Sequence, residues 1–235
     1  MTSLIKITLL GCCRQESLYN DPKYQITCIR NYISYSHYSK EALEIIKYCK
    51  YGHISPIDTM EVFRTPILEK RPIYWNPYYK NELDTSDLFI IEIASKTAYE
   101  FNNVYRHNIV VKPEHNEKVS CKDNIIIRKQ SYEEIENDIL EIKRELGNKK
   151  IMIVSHIYSY EYGERYELVK WLETICQKYS ILFLNPIREI RLSFPEIDIN
   201  TLFVNEDTLK HYNEFGHTII KKVYDNFIQK LLVSS

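Results

Sequence analysis

Glycine is scarce in this chain, five among 235 residues, and this rules out a glycine-rich or collagen-type sequence. No P-loop, GxGxxG fingerprint, HExxH pair or GxSxG elbow is present. No apolar run reaches the length that crosses a bilayer. None of the six cysteines sits in a CxxC pair, so a structural zinc site is not expected, and no metal is assigned. Neither sign of charge dominates. Lys and Arg total 31 against 32 Asp and Glu, and a net charge of -1 excludes a general polyanion binder. The N-terminus has one lysine, a short apolar stretch and no small-residue cleavage site, so it reads as a core strand and not a signal peptide. The C-terminal Ser-Ser carries no lipidation box. Adjacent Cys12 and Cys13 meet disulfide geometry only with strain, so reduced thiols and a cytoplasmic setting are expected. No nucleic-acid or membrane partner is expected, and the sequence leaves the oligomeric state open.

What is present suits one α/β domain over residues 1–235, at 44% hydrophobic and 27% charged. Twenty tyrosines and many Ile, Lys and Asn residues reflect coding bias and carry no functional signal. Apolar runs at 4–10, 88–94, 150–155 and 181–184 predict buried parallel strands, with a short strand near 25–29. Helical spacing predicts helices over 40–51, from a Ser39 N-cap to Gly52, and over 164–179 and 213–232. Ser131-Tyr-Glu-Glu134 is a capping box opening a helix that Gly147 stops. Residues 53–86, rich in proline and aromatics, read as an irregular insertion covering the strand ends. Residues 99–130 read as an inserted hairpin with strands at 108–112 and 124–128. The alternation of strands and helices implies a doubly wound, mainly parallel sheet in a three-layer, flavodoxin-like arrangement.

Ligands in such sheets bind beyond the carboxyl ends of the strands. Four predicted strands end in polar groups: Gly11-Cys12-Cys13-Arg14, Ser95-Lys96, Ser155-His156 and Asn185. His211 stands just before the last helix. A thiolate beside an imidazole is a nucleophile with its base, so Cys13 and His211 are the candidate pair. His211 is favoured over His217, which falls inside the first helical turn and is less free to move. The plain alternatives remain: Cys13 as core, and either histidine as a cap or a solvent-facing residue. His37, in Ser36-His37-Tyr38-Ser39 before a helix, could meet an anion or simply belong to a cap. His156 with Arg165 could bind a carboxylate, phosphate or sugar hydroxyl, or His156 could be a satisfied half-buried residue. Arg14, Arg64 and Ser95 complete the candidate substrate contacts, and Tyr74–Tyr79 could stack on a sugar or cover the core. Glu92 and Glu161 are candidate acids that nothing in the sequence pairs.

These end segments resemble the SGNH/GDSL hydrolase superfamily. Gly11-Cys12-Cys13 is similar to its cysteine variants, the GSCFA-like proteins and capsule-biosynthesis acetyltransferase-like proteins. Asp207…His211-Tyr-Asn-Glu-Phe-Gly216-His217 is similar to its last block. The resemblance implies Cys13 as nucleophile, His211 as base and Asp207 as orienting acid, although Asp207 stands four residues before His211 and not three. It implies an acetyltransferase or esterase acting on a carbohydrate, with no required cofactor and with acetyl-CoA compatible as acyl donor. Backbone N–H groups after Cys13, and Asn185, are the candidates for an oxyanion hole. A non-catalytic glycan-binding or assembly protein on the same fold is the alternative.

Overall fold

The computed structural model describes residues 4–54, 56–102, 104–112, 124–158, 160–204 and 211–233. In chain order the strands are β1 (Ile5–Leu10), β2 (Tyr24–Ile26), β3 (Leu88–Ile93), β4 (Thr97–Phe101), β5 (Val104–Tyr105), β6 (Ile126–Lys129), β7 (Lys150–Ser155) and β8 (Leu182–Leu184). The helices are α1 (Glu16–Tyr19), α2 (Ile29–Tyr32), α3 (Ser39–Tyr51), α4 (Pro56–Val62), α5 (Arg64–Glu69), α6 (Pro77–Asp84), α7 (Tyr132–Leu146), α8 (Glu164–Lys178), α9 (Pro186–Ser193) and α10 (Glu214–Val233). Five strands form a wholly parallel sheet in the order β2-β1-β3-β7-β8. The expected three-layer, doubly wound sheet is present.

The period-2 geometry of strands divides the core into two layers. Ile7, Leu9, Leu88, Ile90, Met152 and Val154 face one side, where Ile187 and Ile190 of α9 and Ile219, Ile220 and Val223 of α10 cover them. Leu10, Phe89, Ile91, Ile151 and Ile153 face the other. There Ala42, Ile45 and Ile46 of α3, Ile135, Ile139 and Ile142 of α7 and Leu172 and Ile175 of α8 pack. Strands buried on both faces read as the continuous apolar runs seen in the sequence. The strand order reverses between β1 and β3, and a crevice opens at such a point beyond the strand ends.

Several boundaries differ from expectation. Residues 53–86 are not irregular: they hold α4, α5 and α6. Pro56 and Pro77 occupy the first position of α4 and α6, where the missing N–H costs nothing. The segment packs on α3 through Trp75 Nε1 to Cys49 O (3.0 Å) and Tyr48 OH to Ile73 O (3.1 Å). Its far end meets the start of the sheet, where Lys6 Nζ binds Glu82 at 2.6 Å. The expected strand at 108–112 is a 3-10 turn, Asn108–Val111. The inserted region instead forms a small antiparallel sheet in the order β5-β4-β6. The N-cap of α3 is Tyr38; Ser39 turns its hydroxyl to Asp138 Oδ2 at 2.7 Å. The capping box of α7 and the left-handed Gly52 closing α3 are both present.

Candidate active site

The turn after β1 is built around one buried carboxylate. Gly11 leads into Cys12, which caps a single 3-10 turn, Cys13–Gln15. Glu92, one residue from the end of β3, accepts the Cys12 N–H at 3.1 Å and the Cys12 thiol at 3.0 Å through Oε2. Its Oε1 accepts Arg14 Nε at 2.6 Å. Burial works against ionisation of Glu92, yet Arg14 and the Cys12 hydrogen bonds hold it charged, at about 2. A guanidinium and two hydrogen bonds are what a buried carboxylate requires.

The two adjacent thiols are driven apart. Burial first, then its contacts with Cys13 and Glu92, raise the Cys12 thiol well above its usual value. Cys13 is only half-buried. Its pKa falls to about 6: a hydrogen bond from the Cys12 thiol favours the thiolate against burial, and Arg14 and His211 add to it. Cys12 has one thiol proton for two acceptors, Glu92 Oε2 and the Cys13 thiolate. The thiol points to Glu92 Oε2 in this structure, and the same proton is the one that favours the Cys13 thiolate.

Cys13 and His211 border the same cleft, of about 490 Å³, with Arg14, His37, Ser95, His156 and Arg165. Thr97, Tyr99, Asn108 and Lys112 close its outer side. His211 is exposed but its backbone is fixed: Val204 N donates to His211 O at 3.0 Å, and Phe203 and Tyr212 bridge and stack beside it. His217 does not line the cleft; it packs edge-on against Tyr212. Asp207 lies outside the described residues, so its role stays an expectation.

The remaining expected contacts divide. His156 is buried and its Nδ1 meets Ile157 O at 2.6 Å, so Nδ1 carries the proton and Nε2 is a lone-pair acceptor. Burial, Arg14 and Arg165 keep this imidazole neutral, so His156 itself can accept from a hydroxyl and adds no positive charge toward a carboxylate or phosphate. Ser95 accepts Thr97 N at 3.0 Å. Arg64 stays outside the lining residues and stacks on Tyr35 at 4.3 Å, and Tyr74–Tyr79 are also absent from the cleft wall. The covering role expected of 53–86 therefore has no support from this cleft. Asn185 is the N-cap of α9, bonded to Arg188 N at 3.2 Å and to Tyr158 OH at 3.4 Å, and not a cleft residue.

The sequence reading missed a second cluster. His37, Glu41 and His107 each offer one ligand atom within 4.8 Å of the others, a set that could hold a metal. The hydrogen bonding argues otherwise. Ile109 N donates to His107 Nδ1 at 3.1 Å, so the neutral ring carries its proton on Nε2, facing Glu41 Oε1 at 3.1 Å. That nitrogen therefore offers no lone pair to a cation. Burial holds His107 neutral, lowered to about 3. Glu41 also accepts His37 N at 2.7 Å, and the His37 carbonyl takes Ala94 N and Ser95 N at 2.7 and 3.1 Å. Glu41 thereby sets a carboxylate just ahead of α3, which weighs against an anion bound there.

No family model matches the chain, and no curated protein does. Solved structures resemble it at a distance. A catalytic mutant of an acetylxylan esterase from Geobacillus stearothermophilus aligns over 95% of this chain and 94% of its own, at 10% identity and a TM-score of 0.44. An alpha/beta hydrolase enzyme from the metagenome of Lake Arreo, Spain, aligns over the same shares at 9% identity and a TM-score of 0.45. At such scores the likeness is one of chain course alone, and the functional reading rests on the cleft.

Proposed function

We propose that this chain is an acyl-transfer enzyme, an acetyltransferase or esterase acting on a carbohydrate ester or hydroxyl, with Cys13 as nucleophile and His211 as base. The observation that carries the reading is a half-buried thiol of lowered pKa sharing the switch-point cleft with an imidazole. The Cys13 thiolate attacks the acyl carbon and forms a thioester through a tetrahedral intermediate. The N–H of Cys13, first in its 3-10 turn and so without an intrahelical acceptor, is a donor for the oxyanion. His211 gives a proton to the leaving group, the oxygen of an ester or the thiolate sulfur of acetyl-CoA, then takes one from the water or sugar hydroxyl that resolves the thioester. Asp207 is assigned the orienting of His211. The neutral Nε2 of His156 can accept from a sugar hydroxyl. Acetyl-CoA is a suitable donor, and free thiols at 12 and 13 suit a reducing compartment. Among the described residues no helix is long and apolar enough to cross a membrane.

One observation favours the non-catalytic alternative. Ala94 and Ser95 N–H groups are both taken by His37 O, and Asn185 is turned away, so a second oxyanion donor is not supplied by them. Mass spectrometry after incubation with p-nitrophenyl acetate or acetyl-CoA separates the readings. An acetyl adduct on Cys13, lost in Cys13→Ala together with turnover, supports the enzyme. An unmodified Cys13 with retained oligosaccharide binding supports the binding protein.

A further inference from the structure

The charge inventory of the cleft is one-sided. Its described lining includes Arg14, Arg165 and Lys112 and no carboxylate. Arg14 is neutralised by Glu92 beneath it. Arg165 is not: its hydrogen bond is to a carbonyl, Ile157 O at 3.3 Å, and no acid pairs with it among the described residues. Its side chain is exposed, yet it lines the cleft with no described counter-charge beside it. Arg165 is the second residue of α8, a fifteen-residue helix whose N-cap, Gly163, offers no side chain to the first-turn N–H groups. Lys112, exposed on the rim, has no described acidic partner either.

We infer that the molecule reacting at Cys13 carries an anionic oxygen group, a carboxylate or phosphate, which Arg165 grips from the α8 side of the cleft while Lys112 steers it from the rim. A planar guanidinium fork matches either group in two-point contact. The inference rests on Cys13 as the reacting thiol and adds the charge of its partner.

Paired alkylation tests it without a known substrate. Cys13 is labelled with iodoacetate, which is anionic, and with iodoacetamide, which is neutral, and the ratio of the two rates cancels differences in thiolate fraction. Relative to glutathione under the same conditions, the ratio at Cys13 is expected to rise about tenfold or more at low salt and to shrink with ionic strength. Arg165→Gln should return it most of the way to the glutathione value, and Lys112→Gln part of the way. A ratio equal to that of glutathione, or one unmoved by Arg165→Gln, overturns the inference. Inorganic phosphate and glucuronate are then compared as protectants of Cys13. The one effective at lower concentration names the anion, and protection by neither also overturns it. Slow reaction of Cys13 with both reagents would instead count against the acyl-transfer reading, so the two failures are distinct.

Discussion

Two buried carboxylates flank the cleft, Glu92 under Cys13 and Glu41 behind His37, and they are held in different ways. Glu92 has a permanent counter-charge, Arg14, at 2.6 Å. Glu41 has two imidazoles and a main-chain N–H: His107 at 3.1 Å, His37 at 3.6 Å and His37 N at 2.7 Å. The first arrangement fixes a charge beneath the nucleophile at any ordinary pH. The second has no permanent cation and relies on an imidazole kept neutral by burial and on a main-chain N–H. One wall therefore carries a carboxylate with a fixed counter-charge, and the other a carboxylate without one.

The largest expected effect is that of removing the fixed charge. Glu92→Gln leaves Arg14 buried without its partner and should cost about 3–5 kcal/mol in urea unfolding. Glu41→Gln keeps an acceptor for His37 N and should cost about 1–2 kcal/mol. Equal losses would erase the distinction between the two walls.

Acid titration should separate them next. The folded-state pKa of His107, about 3, lies below the ordinary 6.5. The unfolded chain therefore binds this proton first, and the stability is complete above pH 6.5 and lost as pH falls toward 3. The slope is on the order of 1.4 kcal/mol per pH unit for each such group, and neutral His156 contributes in the same direction. Glu92, lowered from 4.5 to about 2, adds a second loss only below pH 4.5. In urea unfolding followed against pH, His107→Asn, which keeps an acceptor for Ile109 N, should flatten the upper window and leave the lower one. An unchanged upper window would show that His107 is not held neutral.

How much of this was legible depends on the range of the signal. The strands of the sheet and the capping box of α7 are written in local patterns, and Cys13, His211, His156 and Arg165 were found because strand ends and helix starts are local features too. Glu92 was visible as an acid inside the apolar run Leu88–Ile93, but its partners Cys12 and Arg14 lie some eighty residues away and only folding joins them. Glu41 and His107 were missed for the same reason. Residues 53–86 were misread because proline was taken to break structure, whereas Pro56 and Pro77 begin helices. The helix expected over 213–232 spans Glu214–Val233, and Asn213 Oδ1 accepts Gly216 N at 2.8 Å.

That last glycine gives a smaller prediction at the His211 side. A Cβ on Gly216 would lie 2.1 Å from Leu202 O, a backbone atom. Gly216→Ala should cost about 1–3 kcal/mol by overpacking, read as a lowered Tm. A neutral effect would mean that α10 does not seat closely on the turn that holds His211. The smallest effect on stability is expected at Cys12. Cys12→Ala should raise the Cys13 pKa by removing its thiol donor, and Cys12→Ser should restore part of the shift, both read by alkylation against pH. Identical profiles for the two variants would assign the thiol proton to Glu92 alone.

The central claim is that Cys13 is poised as a thiolate beside His211. Its alkylation by iodoacetamide, followed residue by residue by mass spectrometry from pH 4 to 10, tests this most directly. The account predicts a half-maximal rate near pH 6 at Cys13, ahead of Cys28, whose pKa burial raises, with the midpoint moving upward in His211→Asn. A midpoint near 9, with Cys13 no faster than Cys28, would contradict it.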